Sequence, residues 1–207
     1  MRPIRPISLS DPTTQPPKTV HNRDAMNLSA KSVALVAIVG VATLALAVQA
    51  SWPKVVTNKT LYAENDFRGK KAPSFFVEKW LNVKEVDTRG KVVVIDFWAT
   101  WCSSCREFVP ELNGLAKKFN DKVVVIGLSD EPAATVIPFM KANGMTYNIG
   151  IDTTKQHMFK ALGVKGRPHV IVISPDGIVR WQGFPHDDDD PLTDKVIQQI
   201  LDASFAK

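Results

Sequence analysis

The sequence predicts an α/β domain in which helices are layered on a mixed β-sheet. Two observations carry that reading. The runs at 91–98 (KVVVIDFW) and 122–129 (KVVVIGLS) are β-branched and apolar, and a helical pattern follows each of them. That alternation is what a layered α/β domain requires. Further on, Ser174-Pro175-Asp176-Gly177 separates two short strand-like runs. This is a hairpin signature, and it adds antiparallel strands to an otherwise parallel sheet.

Taken in order, residues 91–98 follow Gly90 and read as a central strand buried on both faces. A helix is expected over 102–119, with Phe108, Leu112, Leu115 and Phe119 on one face and Pro110 kinking it. Residues 122–129 form a second buried strand. A helix over 132–143 closes at Asn143-Gly144, and a short strand follows at 147–151. A short helix at 154–162 ends at Gly163. Strands at 169–173 and 178–181 flank the turn, and Thr193 caps an amphipathic helix over 193–205. About 130 residues are enough to bury a core.

Of the 207 residues, 44% are hydrophobic and 23% charged, ordinary globular values. The net charge is +5, but Lys and Arg are dispersed and form no basic block interleaved with aromatics. Nucleic acid is therefore not an expected partner.

The N-terminal region differs in kind. Residues 1–32 are rich in proline and polar residues and read as a disordered tail. Residues 33–48 (VALVAIVGVATLALAV) are apolar or small, with Lys31 just before them. A spanning helix needs about 20 residues, which an extension to Trp52 supplies. Val48-Gln49-Ala50 also has the small-x-small form of a cleavage site. Residues 33–52 thus read as a signal peptide or a membrane anchor, with Met26 an alternative start. Either reading exports the remainder. Residues 53–70 read as a polar linker and 71–207 as the folded domain.

The two cysteines, Cys102 and Cys105, form one Cys-x-x-Cys at a strand-to-helix junction. A bridge between residues three apart closes so short a loop that it contributes little as a staple. The pair is better explained by reactivity. Cys102 at a helix N-terminus meets free N–H groups and the positive end of the dipole, which favour its thiolate. Cys105, one turn deeper, would resolve a mixed disulfide. A zinc site would need about four ligands, and only four scattered histidines accompany the pair. Haem attachment would need His after the second cysteine, where Arg106 stands. No metal or bound cofactor is expected.

The stretch Asp96-Phe97-Trp98-Ala99-Thr100-Trp101-Cys102-Ser103-Ser104-Cys105-Arg106, with Pro110 beyond it, resembles the thioredoxin active site. Gly163-Val164-x-x-Arg167-Pro168, leading into a strand, resembles the family's cis-proline loop. The resemblance covers residues 72–205. Ala72-Pro73-x-Phe75 and the extra helix–strand around 132–151 are similar to the membrane-associated TlpA/ResA-like branch. It implies a thioredoxin-like fold and a thiol–disulfide oxidoreductase. Asp96 would move the proton of Cys105; its bland alternative is a solvated strand end. Pro168 would be cis, with the backbone of Arg167 pairing to a substrate chain. Trp101 would shape the rim, while Trp98 and Pro110 would be structural. Partners would be substrate protein thiols or disulfides and a membrane electron donor or acceptor, on the periplasmic or another extracytoplasmic face.

The sequence departs from the family beside that proline. Arg167 replaces a usual Thr, Val or Ile, and His169 a usual Thr. A cation there would favour the Cys102 thiolate and make the pair more oxidising; alternatively, both side chains point to solvent. Phe108 stands where ResA-like proteins often carry Glu, and Ser103-Ser104 matches neither family dipeptide. His186 with Asp187, Asp188, Asp189 and Asp190 reads as a solvated acidic loop. A disulfide oxidase or isomerase on this fold, and a binding module with an incidental cysteine pair, are the alternative functions.

Overall fold

A computed structural model describes residues 51–206. The tail at 1–32 and nearly all of the apolar segment at 33–52 lie outside them. Among the described residues no helix is long and apolar enough to cross a membrane.

Six strands form one mixed sheet. They are β1 (Lys79–Trp80), β2 (Val92–Trp98), β3 (Val123–Ser129), β4 (Asn148–Ile151), β5 (His169–Ile173) and β6 (Val179–Gly183). Their spatial order is β1-β4-β3-β2-β5-β6. β2, β3 and β4 run parallel, while β1, β5 and β6 are antiparallel to their neighbours. The helices are α1 (Ser103–Lys118), α2 (Ala133–Ala142), α3 (His157–Leu162) and α4 (Asp194–Phe205). The predicted α/β mixed sheet is present, with boundaries displaced by a residue or a few. The two-residue β1 had no sequence signature.

The alternation of β2 decides what lies on each face. Val92, Val94 and Trp98 join one core with Phe108, Leu112 and Leu115 of α1, Val136 and Met140 of α2, and Ile197 and Ile200 of α4. Val93, Ile95 and Phe97 join a second core with Met158, Phe159 and Leu162 of α3. β2 and β3 are buried throughout because helices cover both faces. The added helix–strand is α2–β4, and β4 extends the sheet parallel to β3.

α1 continues unbroken across Pro110, and Thr193 Oγ1 caps α4 by accepting from Val196 N–H. Gly177, at φ +81°, makes the hairpin turn, where its N–H donates to Ser174 C=O at 2.8 Å.

Residues 53–70 differ from the linker expected. The Lys59 ammonium, with none of its side chain exposed, pairs with Asp190 and lies over Trp181. Tyr62 C=O accepts from Lys165 N–H at 2.8 Å and Gly166 N–H at 3.1 Å. Gly69 N–H donates to Val179 C=O at 2.8 Å. Trp52 also packs on the domain, beneath the Arg180 guanidinium. The segment's polar composition hid this docking, because its ties are hydrogen bonds, many of them from the backbone, and the ion pairs Lys59–Asp190 and Glu64–Lys165 to residues distant in sequence.

Candidate active site

β2 ends at Trp98, and the chain turns through Ala99, Thr100 and Trp101 into α1. Cys102 is the N-cap of that helix, in extended conformation, and its Sγ accepts from Cys105 N–H at 3.1 Å. The two sulfurs form a disulfide across a Cα–Cα distance of 5.3 Å. A helix start supplies unpaired N–H groups and a positive potential, both of which stabilise a thiolate at Cys102. Cys105 is shielded, at 3% exposed, and Cys102 is nearly as buried, at 5%. Ser104 Oγ of α1 lies 3.5 Å from Cys102 Sγ and donates to Arg167 C=O at 3.5 Å, which ties the start of the helix to the loop preceding β5.

Asp96 is 1% exposed. Its even register in β2 puts it on the face of Val94 and Trp98, which is the face covered by α1 and Cys105. Neither carboxylate oxygen has a hydrogen-bond partner among the described residues. Burial pushes its carboxyl up to about 8, although the Arg167 cation pulls the other way. The group is held near neutral pH by desolvation; it is not a solvated strand end.

Pro168 is buried, and the Arg167–Pro168 peptide bond is cis. The Arg167 guanidinium does not point freely into solvent. It pairs with Asp130 at 2.6 Å and lies 5.4 Å from the centroid of Trp101 and 4.9 Å from that of Phe159. Trp101 is 71% exposed, the most open large apolar side chain described. Trp98 is buried, with its ring against Phe139. His169 is fully buried, and burial lowers it to about 4, so it is neutral and adds no charge. His186 bonds Glu111 at 2.8 Å, and Asp190 is occupied by Lys59.

Three contributors escaped the sequence reading. Glu131 accepts from Thr100 N–H at 2.6 Å and Thr100 Oγ1 at 2.7 Å, anchoring the turn before Cys102. Asp130 holds Arg167. Tyr147, from the inserted unit, sits with Trp98 over Gly127, the residue paired to Asp96 across the sheet. A Cβ on Gly127 would come within 2.9 Å of both rings, so only glycine admits them. One signal was available. Asp130 and Glu131 follow the C-terminal end of β3, parallel to β2, and sites in such sheets form at those ends.

The model of the AhpC/TSA family matches residues 68–182. The chain belongs to the AhpC/TSA family. ResA, a thiol-disulfide oxidoreductase of Bacillus anthracis, is 35% identical over 116 residues, 54% of this chain and 66% of the relative. ResA of Bacillus subtilis is 31% identical over 122 residues, 56% of this chain and 66% of the relative. The chain thus spans just under two thirds of these relatives. A Chlorobium tepidum structure, provisionally described as a thiol:disulfide interchange protein DsbE, superposes with TM-score 0.54 at 29% identity. That match covers 66% of this chain and 97% of the other, and it shows a thioredoxin-like fold.

Proposed function

We propose that this protein is a thiol–disulfide oxidoreductase that reduces protein disulfides outside the cytoplasm through Cys102 and Cys105. The observation that carries the reading is the cysteine pair at the α1 N-cap, with a buried, unpartnered Asp96 beneath it. The cysteine pair carries the electrons, so no bound cofactor is invoked.

The Cys102 thiolate attacks a substrate disulfide, forming a mixed disulfide and releasing one substrate thiolate. Asp96, in the fraction of molecules where it is ionised, takes the Cys105 proton. The Cys105 thiolate then attacks Cys102 Sγ, expelling the second substrate thiolate and closing the Cys102–Cys105 disulfide. Two electrons pass to the substrate. A membrane electron donor would return the pair to the dithiol, and Asp96 would then give its proton back. Trp101 offers an apolar rim, and the backbone of Arg167, held by the cis Pro168, would align the substrate chain. Trp98 and Pro110 support the site structurally. The apolar run at 33–52 supports export to the periplasmic or another extracytoplasmic face, as signal or anchor.

The cation of Arg167 beside Trp101 favours a second reading, an oxidase. The reduction potential of the purified protein in thiol/disulfide buffers decides between them. A value near about −270 mV is expected for the reductase, and one near about −120 mV would mark an oxidase. A pair that never exchanges with the buffer would leave only a binding module.

A further inference from the structure

Arg167 precedes the cis Pro168 and approaches the cysteine pair through its backbone. Its carbonyl is linked through Ser104 Oγ toward Cys102 Sγ, each step 3.5 Å, and its guanidinium lies beside Trp101. An unopposed positive charge there would stabilise the Cys102 thiolate, and therefore the reduced form. It would turn the pair toward an oxidant.

The charge is opposed. Asp130 Oδ2 accepts from Arg167 Nη2 at 2.6 Å, with the side chains only 13% and 19% exposed. Gln156 Nε2 approaches the same oxygen at 3.5 Å, from a residue held in the left-handed region at φ +51°. Of the other charged groups near the pair, Asp96 is buried beneath it, Glu131 is engaged by Thr100, and Arg106 and Glu107 are exposed on α1. A close ion pair presents a dipole, whose field falls off faster than that of a lone guanidinium.

We propose that Asp130 sets the reduction potential of the Cys102–Cys105 pair by cancelling the charge of Arg167, which keeps the protein a reductant. This rests on the exchange reading above. The reaction itself is unchanged: two electrons and two protons still interconvert dithiol and disulfide. Only the relative stability of those two forms moves.

The test uses the full chain, equilibrated in glutathione buffers of known ratio, with the dithiol fraction read by thiol alkylation. Asp130→Asn should make the pair about tenfold easier to reduce, a potential about 30 mV higher. Arg167→Met should move it about tenfold the other way, because it leaves an anion beside the thiolate. The double variant should return to within about threefold of the wild type, and Asp130→Glu should stay near it. A merely structural role would destabilise both single variants without shifts of opposite sign. Asp130→Ser repeats the test should the asparagine variant fail to fold. An unchanged Asp130→Asn potential, or one moving in the same direction as Arg167→Met, overturns the assignment. These outcomes leave the exchange reading standing, whereas a wild-type pair that never exchanges overturns that reading itself.

Discussion

Asp96 and His169 occupy neighbouring strands, one register position apart. Asp96 pairs with Val170, and Phe97 pairs with His169. Asp96 faces α1, while His169 shares the opposite face with Phe97 and lies 3.3 Å from Gln182 Nε2. Burial drives both toward the neutral form, Asp96 up to about 8 and His169 down to about 4. The physics is the same and the placement is not. Only Asp96 lies on the cysteine face, so only its proton is useful there. A perturbed group therefore marks a candidate site when the register also aims it at the reacting atoms.

The sharpest break in this comparison is kinetic. Asp96→Asn should slow disulfide exchange at pH 7 by about 100-fold, whereas His169→Gln should leave it within about twofold. Stopped-flow reduction of a peptide disulfide measures both. Equal losses in the two variants would remove Asp96 from proton transfer.

Stability separates them next, with opposite signs. Folded Asp96 holds its proton up to about pH 8, while the unfolded carboxyl loses it near 3.8. The native state binds more protons between these values, so stability falls as pH rises from 4 to 8. The loss is up to about 6 kcal/mol. Asp96→Asn should abolish it, and denaturation midpoints should show a gain for the variant that grows with pH. His169 runs the other way. Its unfolded imidazole protonates near 6.5 and the folded one only near 4, so stability is lost as pH falls through that window. That loss is up to about 3 kcal/mol, and His169→Gln should flatten the acid limb by that amount.

The smallest effect concerns the turn ahead of Cys102. Glu131→Gln keeps the shape but weakens the charged acceptor for Thr100 N–H and Oγ1. A cost of about 1–2 kcal/mol is expected in chemical denaturation, with a lower exchange rate. An unchanged rate would show that the turn holds its geometry without Glu131.

Much of this site was legible in local sequence. Cys102, Cys105, Asp96, Pro110 and Pro168 lie in contiguous motifs, and the β-branched runs and helical periodicity placed them on elements. Asp130 and Glu131 carried one signal, their place just after the C-terminal end of β3, but nothing showed which groups they would hold, and nothing local distinguishes Tyr147 from a strand start. Residues 53–70 misled for a related reason. Their polarity suits a linker, yet backbone hydrogen bonds, which carry no compositional mark, tie them to the loop before β5 and to β6.

The sequence by itself determined the strand–helix alternation, the cysteine pair at a helix start and the carboxylate within a buried strand. Hydrophobic periodicity and capping act over a few residues, and one chain displays them. Only the tertiary structure decided that Arg167 meets Asp130, that Glu131 anchors Thr100, and that Asp96 and His169 face opposite cores. Those outcomes depend on sheet order and register, which bring together groups separated by tens of residues and set the desolvation of each charge.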